Sequence, residues 1–340
     1  MDIVLEIMDT FVLDKVYATL LPSPNPIAAP ANVTLNGLSS AFESHVYGVD
    51  PPQFFKPSDL AYASLLCRSN PLRQSISFFV ITTFFGALLY LVTAYMNYLF
   101  VYNHENFNHP KYLKNQVKLE IKQSLTSIPM MTLLTVPWFV AECQGYSKLY
   151  MNPKDYGTWY MFFQFPLFIL FTDCLIYLIH RWLHTPAVYK HLHKPHHKWL
   201  VPTPFASHAF HPVDGYFQSV PYHLFPFVFP LHKVAYVVLF IAVNIWTVLI
   251  HDGEYLSHDP IVNGSACHTI HHLYFNYNYG QYTTLWDRLG GTHREPDREL
   301  FDGNLKNSKS TWDTQVRELE KIRAEVEGDD DRVYTSGAAL

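Results

Sequence analysis

The feature that most limits how this chain can fold is a long stretch without charge. Residues 75–102 contain no Asp, Glu, Lys or Arg, and most of them are Phe, Leu, Ile, Val or Tyr. An α-helix of about 20 apolar residues is long enough to cross the hydrocarbon core of a bilayer. The stretch therefore predicts a membrane-spanning helix.

Three further apolar regions follow this stretch. Residues 124–141 carry no charge, and residues 158–179 carry one, Asp173. Residues 215–250 are apolar but interrupted by prolines, which favours either a re-entrant segment plus one span or a tight hairpin of two helices. Backbone groups in lipid must be hydrogen-bonded within the protein, and helices achieve this locally. We therefore expect an all-α integral membrane helical bundle with about four to five spanning or re-entrant segments.

The regions outside the apolar stretches predict the domain organisation. Residues 1–74 are expected to form an N-terminal segment, with a short amphipathic helix over 1–21 and a loop over 22–40. Within that loop, Asn32 matches the pattern of a glycosylation acceptor, which does not decide whether it is modified. The membrane-embedded domain is expected to cover residues 75–300.

Charged residues are sparse and unevenly placed. They make up 16% of the chain, against about 25% in ordinary soluble proteins, and the net charge is −5. A nucleic-acid-binding protein would show a concentrated basic footprint instead. By the positive-inside rule, the lysines and arginines of residues 103–123 and 181–198 assign these two segments to the cytosol. Residues 301–340 predict a charged helix over 312–327 and a disordered acidic tail.

Histidine is concentrated in one region of the chain. Of the 19 histidines, 15 lie between His180 and His272. They form three clusters, which are His180 with His184, then His193 with His196 and His197, then His268 with His271 and His272. Imidazoles crowded near a membrane are costly to desolvate unless they bind something. The clusters therefore predict a metal site.

The ligand types leave the identity of the metal open. Eight clustered histidines exceed the needs of one ion and suit two six-coordinate ions, but neutral imidazole binds iron, zinc, copper and nickel alike. A membrane zinc hydrolase or a metal transporter is therefore an alternative. The HExxH motif of one class of zinc hydrolases is absent. Transporter histidines are expected along the spans, whereas these lie at span ends and in adjacent loops.

The motifs HRWLH, HKPHH and HTIHH, in this order, resemble the three histidine boxes of the membrane-bound fatty acid hydroxylase and sterol desaturase superfamily. Within it, ASHAFHPVDG at 206–215 and HDGEY at 251–255 are similar to segments of the sterol C-5 desaturases. The resemblance covers roughly residues 75–300. A sterol C-4 methyl oxidase or a fatty-acid hydroxylase of the same superfamily is the alternative. Desaturation and hydroxylation begin with the same hydrogen abstraction, so the metal ligands do not separate them.

The resemblance implies an oxidoreductase of ergosterol biosynthesis in the endoplasmic reticulum membrane, with its metal site facing the cytosol. It would introduce the C5=C6 double bond into a Δ7-sterol taken from the bilayer, using two non-haem iron ions, O2, and electrons from NAD(P)H. Cytochrome b5 and its reductase would deliver the electrons, as separate proteins because no HPGG-type haem-binding segment occurs in the chain. The implied ligands are His180, His184, His193, His196, His197, His251, His268, His271 and His272.

Other residues are candidates for supporting roles. His208 and His211 are either further ligands or hydrogen-bonding neighbours of ligands. Asp173 is expected either to hydrogen-bond a ligating imidazole, as carboxylates near metal sites do, or to pair inside the bundle. Cytochrome b5 is acidic, and a basic face would steer it towards the site. The candidates for that face are Arg181, Lys190, Lys194 and Lys198, which are equally expected as solvated or lipid-facing charges.

Overall fold

The computed structural model describes residues 1–24, 54–57 and 59–335. Most of the loop predicted over 22–40, including the acceptor site at Asn32, lies outside the described residues. The expected all-α class is confirmed. The only strands among the described residues are the two-residue β1 (Leu149–Tyr150) and β2 (Leu231–His232), which pair in parallel with Leu149 opposite Leu231.

The described helices correspond to the apolar stretches and to the flanking polar segments. In chain order they are α1 (Asp2–Met8), α2 (Asp14–Leu20), α3 (Pro71–Phe100), α4 (Gln116–Cys143), α5 (Gly157–Leu183), α6 (Pro212–Val228), α7 (Lys233–Leu249), α8 (Ser265–Tyr274), α9 (Leu285–Gly290) and α10 (Lys309–Val326). Shorter helical turns lie between them. A π-helical turn, Asp9–Leu13, joins α1 to α2.

Three helices are long and apolar enough to cross a membrane. These are α3, α4 and α5. In the most apolar 18-residue stretch of each helix, only 22%, 39% and 33%, respectively, is buried inside the protein. The rest of each apolar surface is exposed, as at Phe84 and Phe100 of α3, which suits contact with lipid chains. The chain is therefore a membrane protein.

The proline-interrupted region over 215–250 forms two helices. Helices α6 and α7 have 17 residues each, or about 25 Å, and residues 229–232 join them. Pro230 lies in the connection, where it cannot disturb the hydrogen bonds of a helix interior. With α3, α4 and α5 they make five apolar helices, at the upper end of the expected number.

The chain divides into two compact units. The first consists of Met1–Phe85, Thr132–Gln164 and His223–Phe240. In this unit α1 and α2 are fixed by ion pairs that are almost fully buried. Arg73 of α3 lies 2.7 Å from both Asp9 and Asp14, and Arg68 pairs with Asp14 as well. The amphipathic N-terminal segment thus packs locally within this unit.

The second unit consists of Gly86–Met131, Phe165–Tyr222 and Ile241–Leu340, and it contains the histidine clusters. Its irregular segment over 198–211 is held by side chains on one face of α4, at intervals of three or four residues. The pairs are Gln116 with Val201 (2.8 Å), Glu120 with Thr203 (3.3 Å), Ser124 with Phe205 (3.2 Å) and Ser127 with Phe210 (2.5 Å). These bonds satisfy backbone groups that no helix satisfies.

The last residues that the structure describes pack on the second histidine box. The predicted helix over 312–327 forms as α10, and the Tyr189 hydroxyl donates to Glu327 at 2.8 Å. The described residues after it were expected to be disordered, and this expectation is wrong up to residue 335. Arg332 donates to the carbonyl oxygen of His197 at 3.0 Å and pairs with Glu327 at 2.7 Å. Buried hydrogen bonds of this kind order a segment whose acidic composition favoured disorder.

Candidate metal centre

The nine histidines implicated by the sequence come together in two groups. Within each group, one ligand atom from every histidine lies within 4.8 Å of the others. The first group consists of His180, His184, His193, His197 and His271, and the second consists of His196, His251, His268 and His272. Five and four nitrogen donors leave room at two metal ions for further ligands.

Four chain segments supply these side chains. The last turn of α5 carries His180, and His184 follows directly after it. A helical segment over 186–197 carries the second box, His251 follows α7, and α8 carries the third box. The segment over 186–197 contains a π-helical turn, Tyr189–His193, a feature often found at functional sites. The second and the third box both divide between the groups, whereas the first box contributes only to the first group and His251 only to the second.

Four of the imidazoles have partners that fix their protonation. The contacts are His180 Nδ1 to Tyr279 O (3.0 Å), His193 Nδ1 to Asp214 Oδ2 (2.8 Å), His251 Nδ1 to Thr247 O (2.6 Å) and His271 Nδ1 to Tyr277 O (2.8 Å). A carbonyl oxygen or an ionised carboxylate only accepts, so each Nδ1 donates its N–H. Each Nε2 then presents a lone pair.

These lone pairs face other histidines at short range. His180 Nε2 lies 3.1 Å from His193 Nε2, and both of these rings carry their proton on Nδ1. Two neutral imidazoles in this state have no proton to share between their Nε2 atoms, and the contact is repulsive. A cation that accepts both lone pairs turns this repulsion into attraction. The donor set of the first group therefore fits a metal ion.

Burial keeps most of the clustered imidazoles neutral. Removal from water lowers the pKa of His251 and of His271 to about 3. Burial first, and neighbouring imidazoles next, lower the pKa of His196 and His272 well below the ordinary value. Neutral imidazole is the form that binds a metal. His184 has buried nitrogens without any protein partner, which leaves them free for such a bond.

Asp173 does not reach an imidazole, contrary to one of its two expected roles. Its Oδ1 accepts the backbone N–H groups of Gln281 and Tyr282 at 2.9 and 2.8 Å, and its Oδ2 accepts that of Thr283 at 3.1 Å. The loop that it holds also contains Tyr279, whose carbonyl oxygen accepts from His180. Asp173 therefore holds the loop that contacts His180, rather than an imidazole.

A second aspartate, which the sequence did not single out, holds the other end of that loop. Asp287 of α9 accepts the backbone N–H groups of Tyr279 and Gly280, both at 2.8 Å. Gly280 is required by close packing, because a Cβ there would lie 2.5 Å from the Thr283 carbonyl oxygen. The two aspartates, on α5 and α9, thus fix the backbone next to His180.

Asp214 is the carboxylate that contacts a histidine of the first group. It lies in the first turn of α6, is fully buried, and bonds Nδ1 of His193. Gln218 donates to its other oxygen at 2.8 Å. The sequence placed Asp214 among the few acids of the histidine-rich region, but its spacing gave no indication of which histidine it would meet.

His208 and His211 lie outside both groups. His208 is occupied on both nitrogens, by Ser207 at 3.1 Å and by Asn244 at 3.2 Å. His211 accepts the backbone N–H of Val213 at 3.3 Å, at the beginning of α6. Both side chains therefore stabilise the connection between the second box and α6.

Of the four basic candidates for partner docking, Arg181 lies in the first box, Lys190 and Lys194 lie in the segment that carries the second box, and Lys198 follows it. Arg181 and Lys190 are exposed, and Lys194 and Lys198 are half-buried. Arg181 donates to the Tyr177 hydroxyl at 2.8 Å, and the Lys198 ammonium lies 5.1 Å from the Trp199 ring centre. None of the four forms an ion pair with an acidic side chain within the described part of the chain.

Comparisons with known proteins agree with this arrangement. The fatty acid hydroxylase family model matches residues 165–292, which include all nine clustered histidines. Three curated relatives are each named Delta(7)-sterol 5(6)-desaturase. They come from Eremothecium gossypii (57% identical, covering 98% of this chain and 99% of the relative), Saccharomyces cerevisiae (54%, 98% and 97%) and Candida albicans (50%, 98% and 99%). No solved structure matches the chain.

Helices that can span a membrane, together with two histidine groups that fit metal ions, define a membrane-bound protein of the fatty acid hydroxylase type. Within that class, the chain belongs to the Delta(7)-sterol 5(6)-desaturase family. The resemblance found in the sequence is thereby confirmed.

Proposed function

We propose that the chain is an iron-dependent sterol C-5 desaturase that introduces the C5=C6 double bond into a Δ7-sterol during ergosterol biosynthesis. The observation that carries the metal dependence is the approach of His180 Nε2 to His193 Nε2 at 3.1 Å, with both Nδ1 protons directed elsewhere. The substrate class follows from the names of relatives that match nearly the whole chain.

The reaction balances with O2 and two electrons. The C5–H and C6–H bonds of the sterol break, a second C–C bond forms, and O2 leaves as two waters after taking two further electrons and two protons. Cytochrome b5, reduced from NAD(P)H by its reductase, is the proposed source of those electrons. When bound, iron supplies the redox chemistry that no amino-acid side chain offers at an unactivated C–H bond.

The protein's own residues hold and insulate this centre. The first histidine group would hold one ion and the second group the other, with donors drawn from α5, the second box, α8 and His251. Asp214 and the carbonyl oxygens of Tyr277 and Tyr279 keep three imidazoles in the tautomer that presents Nε2. Second-sphere partners of this kind raise ligand basicity and fix ring orientation.

The proposed location is the endoplasmic reticulum membrane, with the histidine groups on the cytosolic side. The lysines before α4 and the basic residues of the second box support this orientation under the positive-inside rule. Access from the cytosol would also allow a soluble haem domain of the electron donor to approach Lys190 and Lys194.

Two measurements test the proposal. Expression of the full chain in a yeast that lacks its own sterol C-5 desaturase should restore C5=C6 sterols, detected by mass spectrometry of extracted sterols. A sterol hydroxylated on its C4 methyl group would instead identify a sterol C-4 methyl oxidase, and a hydroxylated fatty acid would identify a fatty-acid hydroxylase. Metal analysis of the purified protein should find two iron ions per chain, and zinc in their place would contradict the proposed chemistry.

A further inference from the structure

The helical segment over 2–20 has the reverse of the usual polarity. It consists of α1, the π-helical turn and α2, and its carboxylates Glu6, Asp9 and Asp14 face the protein, with at most 2% of each residue exposed. The outward face is mainly apolar. Its apolar residues are between 40% and 71% exposed, and they are Ile7, Phe11, Val12, Val16 and Leu20. A helix on the surface of a protein in water turns its charges outward instead.

The inward-facing carboxylates have partners within the first unit. Asp9 and Asp14 both lie 2.7 Å from the Arg73 guanidinium. Glu6 accepts the backbone N–H groups of residues 54 and 55, both at 2.7 Å. Buried carboxylates are tolerated when they are paired and hydrogen-bonded in this way. The charges of these three acids therefore do not require contact with water.

The π-helical turn brings two of the acids to the same side of the segment. Asp9 and Asp14 are five residues apart, and the Asp14 backbone N–H bonds to the Asp9 carbonyl oxygen. In a regular α-helix, side chains at this spacing point about 140° apart. In a π turn the two positions correspond to positions i and i+4 of an α-helix. Both carboxylates can therefore reach Arg73 while the apolar residues between them face outward.

The segment packs against the first turns of the spanning helix α3. The Tyr17 hydroxyl lies 3.1 Å from Ser77 Oγ, and Arg73 is in the first turn of α3. Arg73 is the only charged residue of α3, and it is 1% exposed. The exposed residues of α3 at this level are apolar, and they are Leu72, Ile76 and Val80. The apolar outward face of the segment is thus continuous in depth with the lipid-facing surface of α3.

The other end of the segment reaches the beginning of α7. Asp2 Oδ2 pairs with the ammonium group of Lys233, the first residue of α7, at 2.5 Å. The helix from Asp2 to Tyr17 covers about 20 Å. It therefore crosses from the first turn of α7 to the first turns of α3. This crossing is typical of helices that lie in the plane of a membrane interface.

Two polar residues on the outward face suit an interface. The Thr19 hydroxyl donates to the carbonyl oxygen of Lys15 at 2.7 Å, which satisfies it within the helix. Lys15 has a long apolar stem, and such a side chain can extend its ammonium group towards lipid headgroups while the stem stays among the acyl chains. Neither residue requires the face to lie in water.

We propose that the segment over 2–20 is an interfacial membrane helix, with its apolar face against the acyl chains of the leaflet at this end of α3. The partner of this face is phospholipid, and the acids of the segment are turned towards the protein. The surface that the chain presents to the membrane thus includes a segment whose sequence contains four acids. This placement does not depend on the proposed reaction.

The first test measures what the outward face contacts. In the full chain, Cys67 and Cys174 are replaced by Ser because they are exposed or partly exposed, whereas the other two cysteines are buried. A nitroxide label is attached to Val12→Cys or Val16→Cys, and the protein is reconstituted in phosphatidylcholine nanodiscs. By power-saturation electron paramagnetic resonance, both labels should collide more often with O2, which concentrates in lipid, than with a water-soluble nickel complex.

Two further labelled variants provide the references for this measurement. Val80→Cys, on the exposed surface of α3, should show the same preference for O2. Asp155→Cys, on the exposed turn before α5, should show the opposite preference. Labels at positions 12 and 16 that prefer the nickel complex would place the face in water. Labels shielded from both reagents would place it against another part of the chain or a second copy. Either result would overturn the proposal.

The second test places a charge on the outward face. Val16→Asp should lower the unfolding temperature in nanodiscs, because a charged side chain is costly in lipid. Val333→Asp makes the same change at an exposed position after α10, where the neighbouring residues are charged, and should leave the unfolding temperature unchanged. If both variants unfold at the temperature of the unmodified protein, the outward face does not lie in lipid.

Discussion

Asp214 Oδ2 lies 2.8 Å from His193 Nδ1, and both side chains are fully buried. The carboxylate fixes the imidazole proton on Nδ1, so that His193 Nε2 points towards the other histidines of the first group. The bond joins the second box to the first turn of α6 through two residues that lie 21 positions apart in sequence. One acid therefore sets both the orientation and the basicity of a proposed ligand.

Replacement of Asp214 should weaken metal binding without preventing membrane insertion. Loss of a carboxylate behind a ligating histidine typically costs 10–100-fold in metal affinity. We expect Asp214→Asn to fall in this range and Asp214→Ala to lose more, because Asn retains an acceptor for His193 Nδ1. The measurement is iron content after equilibration with a chelator. Asp259→Asn, in an exposed loop, is the control, and equal iron retention in all three variants would contradict the role of Asp214.

The two groups predict a change in metal stoichiometry. His184→Ala removes a member of the first group, and His196→Ala removes a member of the second. Each variant should retain about one of two iron ions per chain and lose turnover, and His271→Ala should behave like His184→Ala. The exposed His191 belongs to neither group, so His191→Ala should retain both ions and full activity. Near-full activity in any of the first three variants would remove that histidine from the centre.

Asp173→Asn should reduce activity and iron occupancy partially, and by less than His184→Ala. The carboxylate accepts three backbone N–H groups of the loop next to Tyr279, and an amide provides only one oxygen for them. Hydrogen bonds to a charged group contribute about 1.5–3 kcal/mol each, so the loop should loosen. Asp155→Asn, on an exposed turn before α5, serves as control. Iron content and turnover unchanged in Asp173→Ala would show that the loop does not act on the site.

Charge reversal on the basic residues beside the second box should slow reduction by cytochrome b5. We expect the combination Lys190→Glu with Lys194→Glu to lower the rate at low salt, with the difference from the unmodified protein shrinking as salt rises, because screening removes long-range attraction. Lys154→Glu, at the opposite end of α5, is the matched control. A reduction rate that is the same for all proteins at low salt would exclude this docking face.

Arg332→Ala should lower thermal stability. Its guanidinium pairs with Glu327 in an almost fully buried position and bonds the carbonyl oxygen of His197. Removing one partner of a buried pair costs about 3–5 kcal/mol, because the other charge stays buried without compensation. Arg298→Ala removes an exposed arginine and should leave the unfolding temperature unchanged. If the two variants unfold at the same temperature, the terminal segment does not stabilise the second box.

The amino-acid sequence by itself determined the membrane helices and the histidines of the proposed metal centre. Helix formation in lipid depends on the length and apolarity of a continuous segment, so α3, α4 and α5 could be predicted from residue types alone. The histidine boxes are recognisable because their spacing places neighbouring imidazoles on one side of a helix. Their resemblance to a known superfamily then supplied the implied reaction and cofactor.

Only the tertiary structure decided how these parts meet. The sequence could not show that His196 belongs to the second group while the other two histidines of its box belong to the first. Nor could it show that Asp214 contacts His193, or that Asp173 holds a loop more than 100 residues away. Spacing fixes the face of a helix on which a side chain lies. Packing between distant segments decides which residues contact that face. A buried polar group must be hydrogen-bonded, and its partner can come from any segment that the fold places next to it.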